Sequence, residues 1–317
     1  MSYQLVADIG GTNARFALCK AGSTDLQNIQ IFHSAQFDSP IEAVSKYLST
    51  YGVSVDSACL AVAGPVDEAV DTVKLTNNSW SFSRKQIASE IVAGRLVVIN
   101  DFVAAAMSTT VIHSADLFFL SDGLQFDLKQ QRCILGPGTG LGVAGMLPYK
   151  GKTLVLSTEG GNRSFSPGNE TEDYILHYLR AELRVVSCEA LLSGNGLVNI
   201  YRALCSYHKQ AADHSKADEI STAAFKNDDM AYQALQTFFE ILGGVAGDCA
   251  LTFGATGGVY IGGGIAQKFP EALRQSNFRE CFEDKLNYKS YLKKIPTAIV
   301  MNPYAGLLGA AAYLNNL

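Results

Sequence analysis

Two glycine-rich turns, each between a pair of short apolar strands, are the feature that most constrains how this chain can fold. The first, DIGGT, follows QLVADI near the start, and the second, GPGTG (Gly136 to Gly140), follows QQRCIL in the middle. After each hairpin, predicted helices alternate with buried strands, which indicates an α/β sheet covered by helices. The repeated order predicts a duplicated unit, with a cleft between its halves that suits a small molecule.

Length and composition are those of a globular protein with about two domains. Of the 317 residues, 48% are hydrophobic and 17% are charged. The net charge of -5 and the absence of a Lys/Arg run do not favour nucleic acid or an anionic membrane as a partner. Seven cysteines without a CxxC pair indicate reduced thiols, and no signal-peptide pattern precedes the first strand. We therefore expect a cytoplasmic protein that binds neither nucleic acid nor membrane.

Apolar periodicity and turn residues predict the other elements of the chain. Strands are expected at QLVADI, ARFALCK, IQIFHSAQF, SACLAVAG, RLVVIN, TLVLST, GGVYIGGG and TAIVMN. Helices are expected at PIEAVSKYLSTY, SRKQIASEIV, FVAAAM, TEDYILHYLRAEL, CEALLSGNGLVNIYRAL, MAYQALQTFFEILGGVAGDCALTF, IAQKFPEALRQ and AGLLGAAAYL.

The first glycine turn combines groups that bind phosphate with one that repels it. Gly10 and Gly11 let backbone N–H groups approach a ligand, and Thr12 and Asn13 add polar side chains. Asp8 would repel a bare phosphate, but Mg²⁺ commonly joins one or two carboxylates to phosphate oxygens and waters. Asp8 therefore predicts a magnesium–nucleotide site. The alternative is that Asp8 only caps its own turn.

The second turn repeats this chemistry with Gly138, Thr139 and Gly140. A tight hairpin needs glycine in any case, but two such turns at equivalent places favour a phosphate clamp. The stretch from Gly140 to Gly145 also fits GxGxxG, the pattern of a dinucleotide site, which needs a helix to follow. Here MLPYKGK follows and the flanks read as strand, so a dinucleotide site is not expected.

Polar residues also follow the buried strand pattern VVIND. Asn100 and Asp101 stand at the carboxyl end of this strand, where open α/β sheets bind their ligands. A helix pattern begins after Asp101, and a helix N-terminus favours an ionised carboxylate, which could take a proton from an attacking alcohol. The alternative is that Asp101 is only the helix N-cap.

Two further glycine-rich stretches end buried strands. STEGGN carries Glu159 and Asn162, a carboxylate and an amide of the kind that bind hydroxyl-rich ligands. Glu189 opens a predicted helix, so a first-turn acid favoured by the helix dipole competes with a ligand role. GGVYIGGGI ends in Gly262 to Gly264, which would allow either a base or ribose to approach or a helix to pack closely.

These motifs together resemble the bacterial glucokinase family, of the hexokinase, actin and Hsp70 fold group. The matching stretches, in the family's order over nearly the whole chain, are DIGGTNARFAL, LTNNSW, INDF, GPGTGLGVA, EGG, ALLSGNGLVN, GGVYIGGGI and NPYAGLLGA. The resemblance implies a two-domain, actin-like ATPase fold of the hexokinase type. A small α/β domain over residues 1–110, completed by a C-terminal helix at 302–317, and a large α/β domain over 111–301 are expected. A homodimer is also implied, without the zinc-binding cysteine cluster of the related repressor and sugar-kinase group.

The resemblance also implies a role for each candidate residue, with ATP and Mg²⁺ as cofactors and glucose as substrate. The implied ATP-binding residues are Asp8, which would hold Mg²⁺ through water, Gly10, Gly11, Thr12, Asn13, Gly138, Thr139, Gly140, Gly262, Gly263 and Gly264. The implied sugar-binding residues are Asn100, Asp101, Glu159, Asn162 and Glu189, with Asp101 as the general base for the 6-hydroxyl. Asn162 departs from the family, which usually has histidine after EGG; the departure concerns the anomeric end of the sugar rather than the transfer chemistry.

The predicted activity is ATP-dependent phosphorylation of D-glucose to glucose 6-phosphate, which feeds glycolysis. One alternative is a kinase for another hexose, such as mannose or fructose. The other is a sugar- or nucleotide-binding regulator without turnover. Against the regulator, the first strand begins within a few residues of Met1, which leaves no room for an N-terminal DNA-binding domain, and the candidate base Asp101 is present.

Overall fold

The computed structural model of the protein describes residues 3–76 and 80–317. Part of the motif LTNNSW, residues 77–79, lies outside the described residues. The chain divides into two compact units. The first comprises residues 1–116, 149–157 and 302–317, and the second comprises residues 117–148 and 158–301.

The described residues form 13 strands and 12 α-helices. The strands are β1 (Tyr3–Ile9), β2 (Asn13–Lys20), β3 (Gln27–His33), β4 (Val55–Val62), β5 (Thr72–Lys74), β6 (Ser81–Ser83), β7 (Val92–Asn100), β8 (Leu117–Phe119), β9 (Arg132–Pro137), β10 (Leu141–Tyr149), β11 (Lys152–Thr158), β12 (Gly258–Ile261) and β13 (Thr297–Val300). The α-helices are α1 (Pro40–Tyr51), α2 (Arg84–Glu90), α3 (Asp101–Ser108), α4 (Glu170–Arg180), α5 (Gly194–Tyr207), α6 (Ala217–Ala223), α7 (Asp229–Phe253), α8 (Gly264–Lys268), α9 (Pro270–Gln275), α10 (Phe278–Glu283), α11 (Lys289–Leu292) and α12 (Ala305–Asn316).

The sheet of the first unit has the order β3-β2-β1-β4-β7. The antiparallel hairpin β1–β2 pairs Asp8 with Arg15, and β1, β4 and β7 run parallel. Ile9 is in register with Val62, and Val62 with Asn100. The first glycine turn and the start of α3 therefore follow the same edge of this sheet, the edge where parallel strands end.

Both faces of this sheet are covered, and the alternation of side chains along β1 decides what each face meets. Leu5, Ala7 and Ile9 belong to a buried cluster with residues of α1 and α2. Val6 belongs to a second cluster with residues of α3 and α12. Asp8 shares the parity of Val6, which directs its carboxylate to the α3 and α12 side.

The sheet of the second unit repeats the pattern of a hairpin followed by parallel strands. Within this unit the strands are ordered β10-β9-β12-β13-β8. β9 and β10 are antiparallel, and β12 is parallel to both β9 and β13. The unit's hydrophobic cluster joins this sheet to the long helix α7 and to α5, α4 and α10. The stretch Gly140 to Gly145 lies in β10 apart from its first residue, as expected for a strand.

Three of the predicted elements differ clearly from the structure. The helix expected from Cys188 begins only at Gly194, because the Ser193 side chain accepts a hydrogen bond from the Gly196 N–H and caps it there. The helix expected over IAQKFPEALRQ is divided into α8 and α9 at Pro270, which cannot donate the backbone bond that continues a helix. The strand expected over IQIFHSAQF ends at His33 and is followed by a 3-10 turn. Among the described residues, no helix combines the length and the apolar character needed to cross a membrane.

Candidate functional site

The first glycine turn is closed by its own backbone. The Gly10 N–H donates to the Asn13 carbonyl at 2.9 Å, and the Ser34 N–H donates to the Thr12 carbonyl at 2.9 Å. The Thr12 side chain is exposed, and Gly10, Gly11 and Asn13 are half-buried. Backbone hydrogen bonds therefore fix the turn, and the Thr12 side chain at its tip is open to a ligand.

Asp8 forms an ion pair with Arg15, which lies opposite it on the neighbouring strand β2. The Arg15 guanidinium lies 3.0 Å from Asp8 Oδ2, and the Asp8 side chain is 20% exposed. The Asp8 carboxylate therefore has a charged partner outside its own turn, which the turn-cap interpretation did not include. Burial raises the pKa of Asp8, and the neighbouring Arg15 opposes that rise. Gly306 at the start of α12 packs so closely over the Asp8 carboxyl that a Cβ there would lie 2.7 Å from Cγ.

Asn100, and not Asp101, is the N-cap of α3. Asn100 Oδ1 accepts the Phe102 N–H at 2.8 Å, and its Nδ2 donates to the Gly64 carbonyl at 3.0 Å. Asp101 is the first residue of the helix, with Oδ1 3.0 Å from the same Phe102 nitrogen. The N-cap position that the sequence alternative gave to Asp101 is therefore taken by Asn100.

The pKa of Asp101 is raised towards neutral pH rather than lowered. Its pKa is raised to about 6, mainly by burial and also by the nearby Asp8 charge, while hydrogen bonds from the backbone and from Asn100 lower it. The effect of burial, which raises the pKa, thus outweighs the lowering of the pKa that was expected from the helix N-terminus. A carboxylate of this kind is ionised at pH 7 and still has appreciable affinity for a proton.

The donor set of the first unit fits a magnesium ion that keeps most of its waters. Among the described residues, no group of three or more His, Cys, Asp or Glu side chains could enclose a metal. Arg15 occupies Oδ2 of Asp8, and Oδ1 has no partner in the part of the chain that is described. One carboxylate oxygen is the kind of ligand that Mg²⁺ uses when waters and phosphates supply the others.

The second glycine turn is built against Glu189. The Gly138 N–H donates to the Gly140 carbonyl at 2.8 Å, and the Leu141 N–H donates to Glu189 Oε2 at 2.9 Å. A Cβ at Gly140 would collide with that carboxylate, so the close approach requires glycine. Glu189 lies before α5 and not in its first turn, so the helix-dipole interpretation of Glu189 is wrong.

Glu189 also contacts the STEGGN turn. The Glu189 N–H donates to the Gly161 carbonyl at 2.9 Å, and the Asn162 N–H closes the turn on the Glu159 carbonyl at 3.0 Å. The side chains of Glu159 and Asn162 are exposed. Neither side chain forms a hydrogen bond among the described residues, so backbone, not the Asn162 amide, closes this turn. The structure thus brings Glu159, Asn162 and Glu189 together beside the second glycine turn.

A cavity of about 450 Å³ lies within the second unit and is lined by residues of two predicted ATP-binding motifs, the second glycine turn and the run Gly262–Gly264. Its walls come from the second turn with the start of α5, from the α6 region and from α8. The lining residues are Gly138, Thr139, Gly194, Asn195, Leu197, Lys216, Ala217, Asp218, Ser221, Gly264, Ile265, Lys268 and Phe269. The Gly194 N–H donates to the Gly138 carbonyl at 2.9 Å, which fixes the turn on the helix. The volume is in the range of small-molecule sites.

The three glycines after β12 have separate surroundings. Gly263 has φ of +85°, and a Cβ there would collide with the Pro137 carbonyl, so close packing requires glycine. Gly262 approaches Gly136 closely, with 2.7 Å from a Cβ built on Gly136 to the Gly262 carbonyl carbon. Gly264 lines the cavity. Packing therefore requires glycine at Gly263 and at Gly136, whereas a Cβ on Gly262 would meet only ordinary contacts with Ile134, and Gly264 is open to a ligand.

Sequence reasoning missed Arg15 and the α6 and α8 side chains of the cavity. Arg15 could have been found, since a three-residue turn between Ile9 and Asn13 fixes the register that puts Arg15 opposite Asp8. Asp218 and Lys268 are 50 residues apart and meet through tertiary packing, for which the sequence carries no local signal.

Comparisons with known proteins agree with this architecture. The sequence profile of the family described as Glucokinase matches residues 5–317. A curated glucokinase of Chromohalobacter salexigens is 42% identical over 313 residues, which cover 98% of this chain and 97% of that protein. The crystal structure of a glucokinase from an Antarctic psychrotroph matches with a TM-score of 0.91 and 36% identity, covering 100% of both chains.

A more distant structure shares the fold. It is described as a ROK family glucokinase from Streptomyces griseus in complex with glucose and AMPPNP. The match has a TM-score of 0.64 and 18% identity and covers 98% of both chains. These structures have the actin-like ATPase fold, and the fold expected from the sequence is confirmed.

Proposed function

Because this chain belongs to the glucokinase family, we propose that it transfers the γ-phosphoryl group of ATP to the 6-hydroxyl of D-glucose, giving glucose 6-phosphate and ADP. The product would feed glycolysis. Support comes from the family match over residues 5–317 and from a curated glucokinase of nearly equal length at 42% identity.

The observation that carries the chemistry is the state of Asp101. This carboxylate lies at the carboxyl end of β7, in the place where α/β sheets bind ligands, with a pKa raised to about 6. In the proposed reaction Asp101 accepts the proton of the 6-hydroxyl as that oxygen bonds to the γ-phosphorus. The bond from the γ-phosphorus to the bridging oxygen breaks, and ADP leaves with that oxygen.

The glycine turns are proposed to hold the phosphates. The glycines Gly10, Gly11, Gly138 and Gly140 would let phosphate oxygens approach the backbone, and the hydroxyls of Thr12 and Thr139 with the Asn13 amide would donate to those oxygens. The Gly10 and Gly138 N–H groups themselves are already bonded within the turns. Asp8 would hold Mg²⁺ through water, and the bound ion would neutralise phosphate charge. The adenosine would lie against the glycine run Gly262–Gly264.

The sugar is proposed to bind through carboxylates and amides. Asn100, Glu159, Asn162 and Glu189 would each take a defined hydrogen bond from a glucose hydroxyl. The side chains of Glu159 and Asn162 are exposed and form no hydrogen bond within residues 3–76 and 80–317, which supports this assignment.

We also propose a cytoplasmic location and a homodimer. Both follow from the family resemblance. All seven cysteines are free thiols, and Cys281 is the only one of them that is not buried, which suits a reducing compartment.

A coupled assay for ADP with a panel of sugars tests the proposal. Purified protein with MgATP should release ADP with glucose, and mass spectrometry with NMR should identify glucose 6-phosphate. A kcat/KM for mannose or fructose higher than that for glucose would make that hexose the proposed substrate instead. No turnover with any hexose would contradict the kinase assignment and favour a regulator.

A further inference from the structure

An ion pair joins two walls of the cavity in the second unit. Lys268 Nζ of α8 lies 2.9 Å from Asp218 Oδ1 of α6, and both residues line the cavity. The Lys268 side chain is 48% exposed and the Asp218 side chain 91% exposed, so the pair lies on the solvent side. Phe269, next to Lys268, also lines the cavity and stacks on Phe225 at 5.2 Å between ring centroids.

The chemistry of the three walls is unequal. The wall formed by Gly138, Thr139 and the start of the 14-residue helix α5 contains the Thr139 and Asn195 N–H groups, which form no hydrogen bond among the described residues and favour phosphate. The α6 wall presents the Asp218 carboxylate, which accepts hydrogen bonds and repels phosphate, and Lys216, whose ammonium group is paired with Glu219 at 3.9 Å. A nucleotide in this cavity therefore has one favourable direction, with its phosphates at the glycine turn and its nucleoside towards Asp218.

Asp218 has an oxygen available for a ligand. Oδ1 is taken by Lys268, whereas Oδ2 has no hydrogen-bond partner among the described residues. Only a donor can satisfy that oxygen, and the hydroxyls of a ribose are donors at the nucleoside end of a nucleotide. Leu197, Ile265 and Phe269 supply apolar surface for the base.

We infer that Asp218 recognises a ribose hydroxyl of the nucleotide and that Lys268 positions its carboxylate for this contact. The inference deepens the proposed function and rests on its nucleotide site. The pair makes the nucleotide site selective for ribonucleotides over deoxyribonucleotides. A site that forms a hydrogen bond with a hydroxyl discriminates against the analogue that lacks this hydroxyl.

A matched ion pair elsewhere in the same unit provides the control. Arg274 lies 3.0 Å from Asp122, with side-chain exposures of 47% and 89%, and neither residue lines the cavity. Variants of Asp122 therefore report what the loss of an equally exposed ion pair does without a change at the cavity.

The experiment measures binding of ADP, 2′-deoxy-ADP and 3′-deoxy-ADP with MgCl₂ by calorimetry to the full chain, without sugar. Wild type and Asp122→Ala should bind at least one deoxy analogue roughly 2- to 13-fold more weakly than ADP, the worth of one hydrogen bond. Asp218→Ala should bind all three with the same affinity. Lys268→Ala should reduce the discrimination, and Asp218→Asn should retain part of it, because an amide oxygen still accepts.

The ratio of affinities separates recognition from a structural role. Disturbance of α6 alone would weaken all three ligands equally and leave their ratio unchanged in Asp218→Ala, which would overturn the inference. Equal binding of the three ligands by wild type, or no binding of ADP at all, would also overturn it. A wild type that discriminates between ADP and its analogues but does not phosphorylate any hexose would contradict the proposed function and leave this inference standing.

Discussion

Asp101 shows how the surroundings of one side chain set its activity. Because a general base must be ionised, kcat/KM for glucose should fall about tenfold for each pH unit below the pKa of about 6. Asp101→Asn should lower kcat by about 10²-fold or more and remove this acid limb, with little change in ADP affinity. The check is a pH profile of both proteins; near-normal turnover by the variant would show that another group is the base.

The same burial predicts that Asp101 costs stability at neutral pH. Its folded pKa of about 6 exceeds the unfolded value near 4, so the native state binds more protons between these values and gains stability as pH falls through that window. Above pH 6 the full cost of the buried charge is present. Asp101→Asn should therefore raise the free energy of unfolding by on the order of 2 kcal/mol at pH 7.5, and the gain should vanish near pH 4. Asp122→Asn, where the carboxylate is 89% exposed, is the control and should change little at either pH.

Asp8 is predicted to act through the metal. Asp8→Ala should raise the Mg²⁺ concentration for half-maximal rate and lower kcat, while glucose binding, measured by tryptophan fluorescence or calorimetry, is kept. Overlaid Mg²⁺ titrations of variant and wild type would show that the Asp8–Arg15 pair serves only the hairpin.

Asn162 is predicted to bind a hydroxyl near C1 or C2 of glucose. One neutral hydrogen bond corresponds to a roughly 2- to 13-fold loss of affinity. Because these hydroxyls lie far from the reacting oxygen, Asn162→Ala should raise the glucose KM at near-constant kcat. Measurements with glucose and 2-deoxyglucose check this, and an unchanged KM for both sugars in a folded variant would remove Asn162 from the sugar site.

Among the elements, the contact of α12 with α3 is the one most sensitive to a single methyl group. A Cβ at Gly309 of α12 would collide with the backbone of Ala104 in α3. Gly309→Ala should therefore destabilise the protein by about 1–3 kcal/mol, the usual cost of overpacking. Gly244→Ala in α7 is the control, because nothing lies within 4 Å of its Cβ, and it should stabilise by about 0.5–1 kcal/mol. Thermal melts decide; equal effects of the two changes would show that α12 shifts freely on α3.

Local signals predicted the elements well where they acted alone. Helix α1 matches PIEAVSKYLSTY because Ser39 caps it, Pro40 occupies its first turn and Gly52 ends it in the left-handed region. The start of α5 was misplaced because the apolar spacing of CEALL imitates a helix, whereas the structure uses this segment to bring Glu189 to Leu141. At Glu189, which has a proposed role in the site, tertiary contacts determined the local structure in place of the apolar periodicity.

The candidate site could be predicted from the sequence where a single motif contains both residues of a contact. The order of DIGGTNARF contains Asp8, its turn and Arg15, and INDF contains the cap and the acid of α3. The raised pKa of Asp101 was not predictable, because burial by distant residues sets it. The Lys268–Asp218 contact was also invisible, since separate helices bring its two residues together.

At the scale of the whole molecule, each unit has hydrophobic clusters of its own. The largest cluster lies within the second unit, and two others lie within the first. The division into domains at residues 110 and 301 that the sequence suggests stays a prediction. Separate cores indicate that the units can unfold in separate steps, and this gives the domain prediction a direct test.

The single tryptophan, Trp80, reports on the first unit alone, because it is 4% exposed in one of that unit's clusters. Circular dichroism reports on both units.

ADP at about 100 times its Kd should stabilise the unit that binds it by about 2.7 kcal/mol, which corresponds to a rise of roughly 5–11 °C in its melting temperature. Since the proposed adenosine site lies in the second unit, the dichroism melt should gain a later transition while the Trp80 emission melt moves by much less. Sodium phosphate at the same ionic strength is the control and should move neither melt by a comparable amount. Equal shifts of both signals with ADP would show one cooperative unfolding unit and contradict the separate domains.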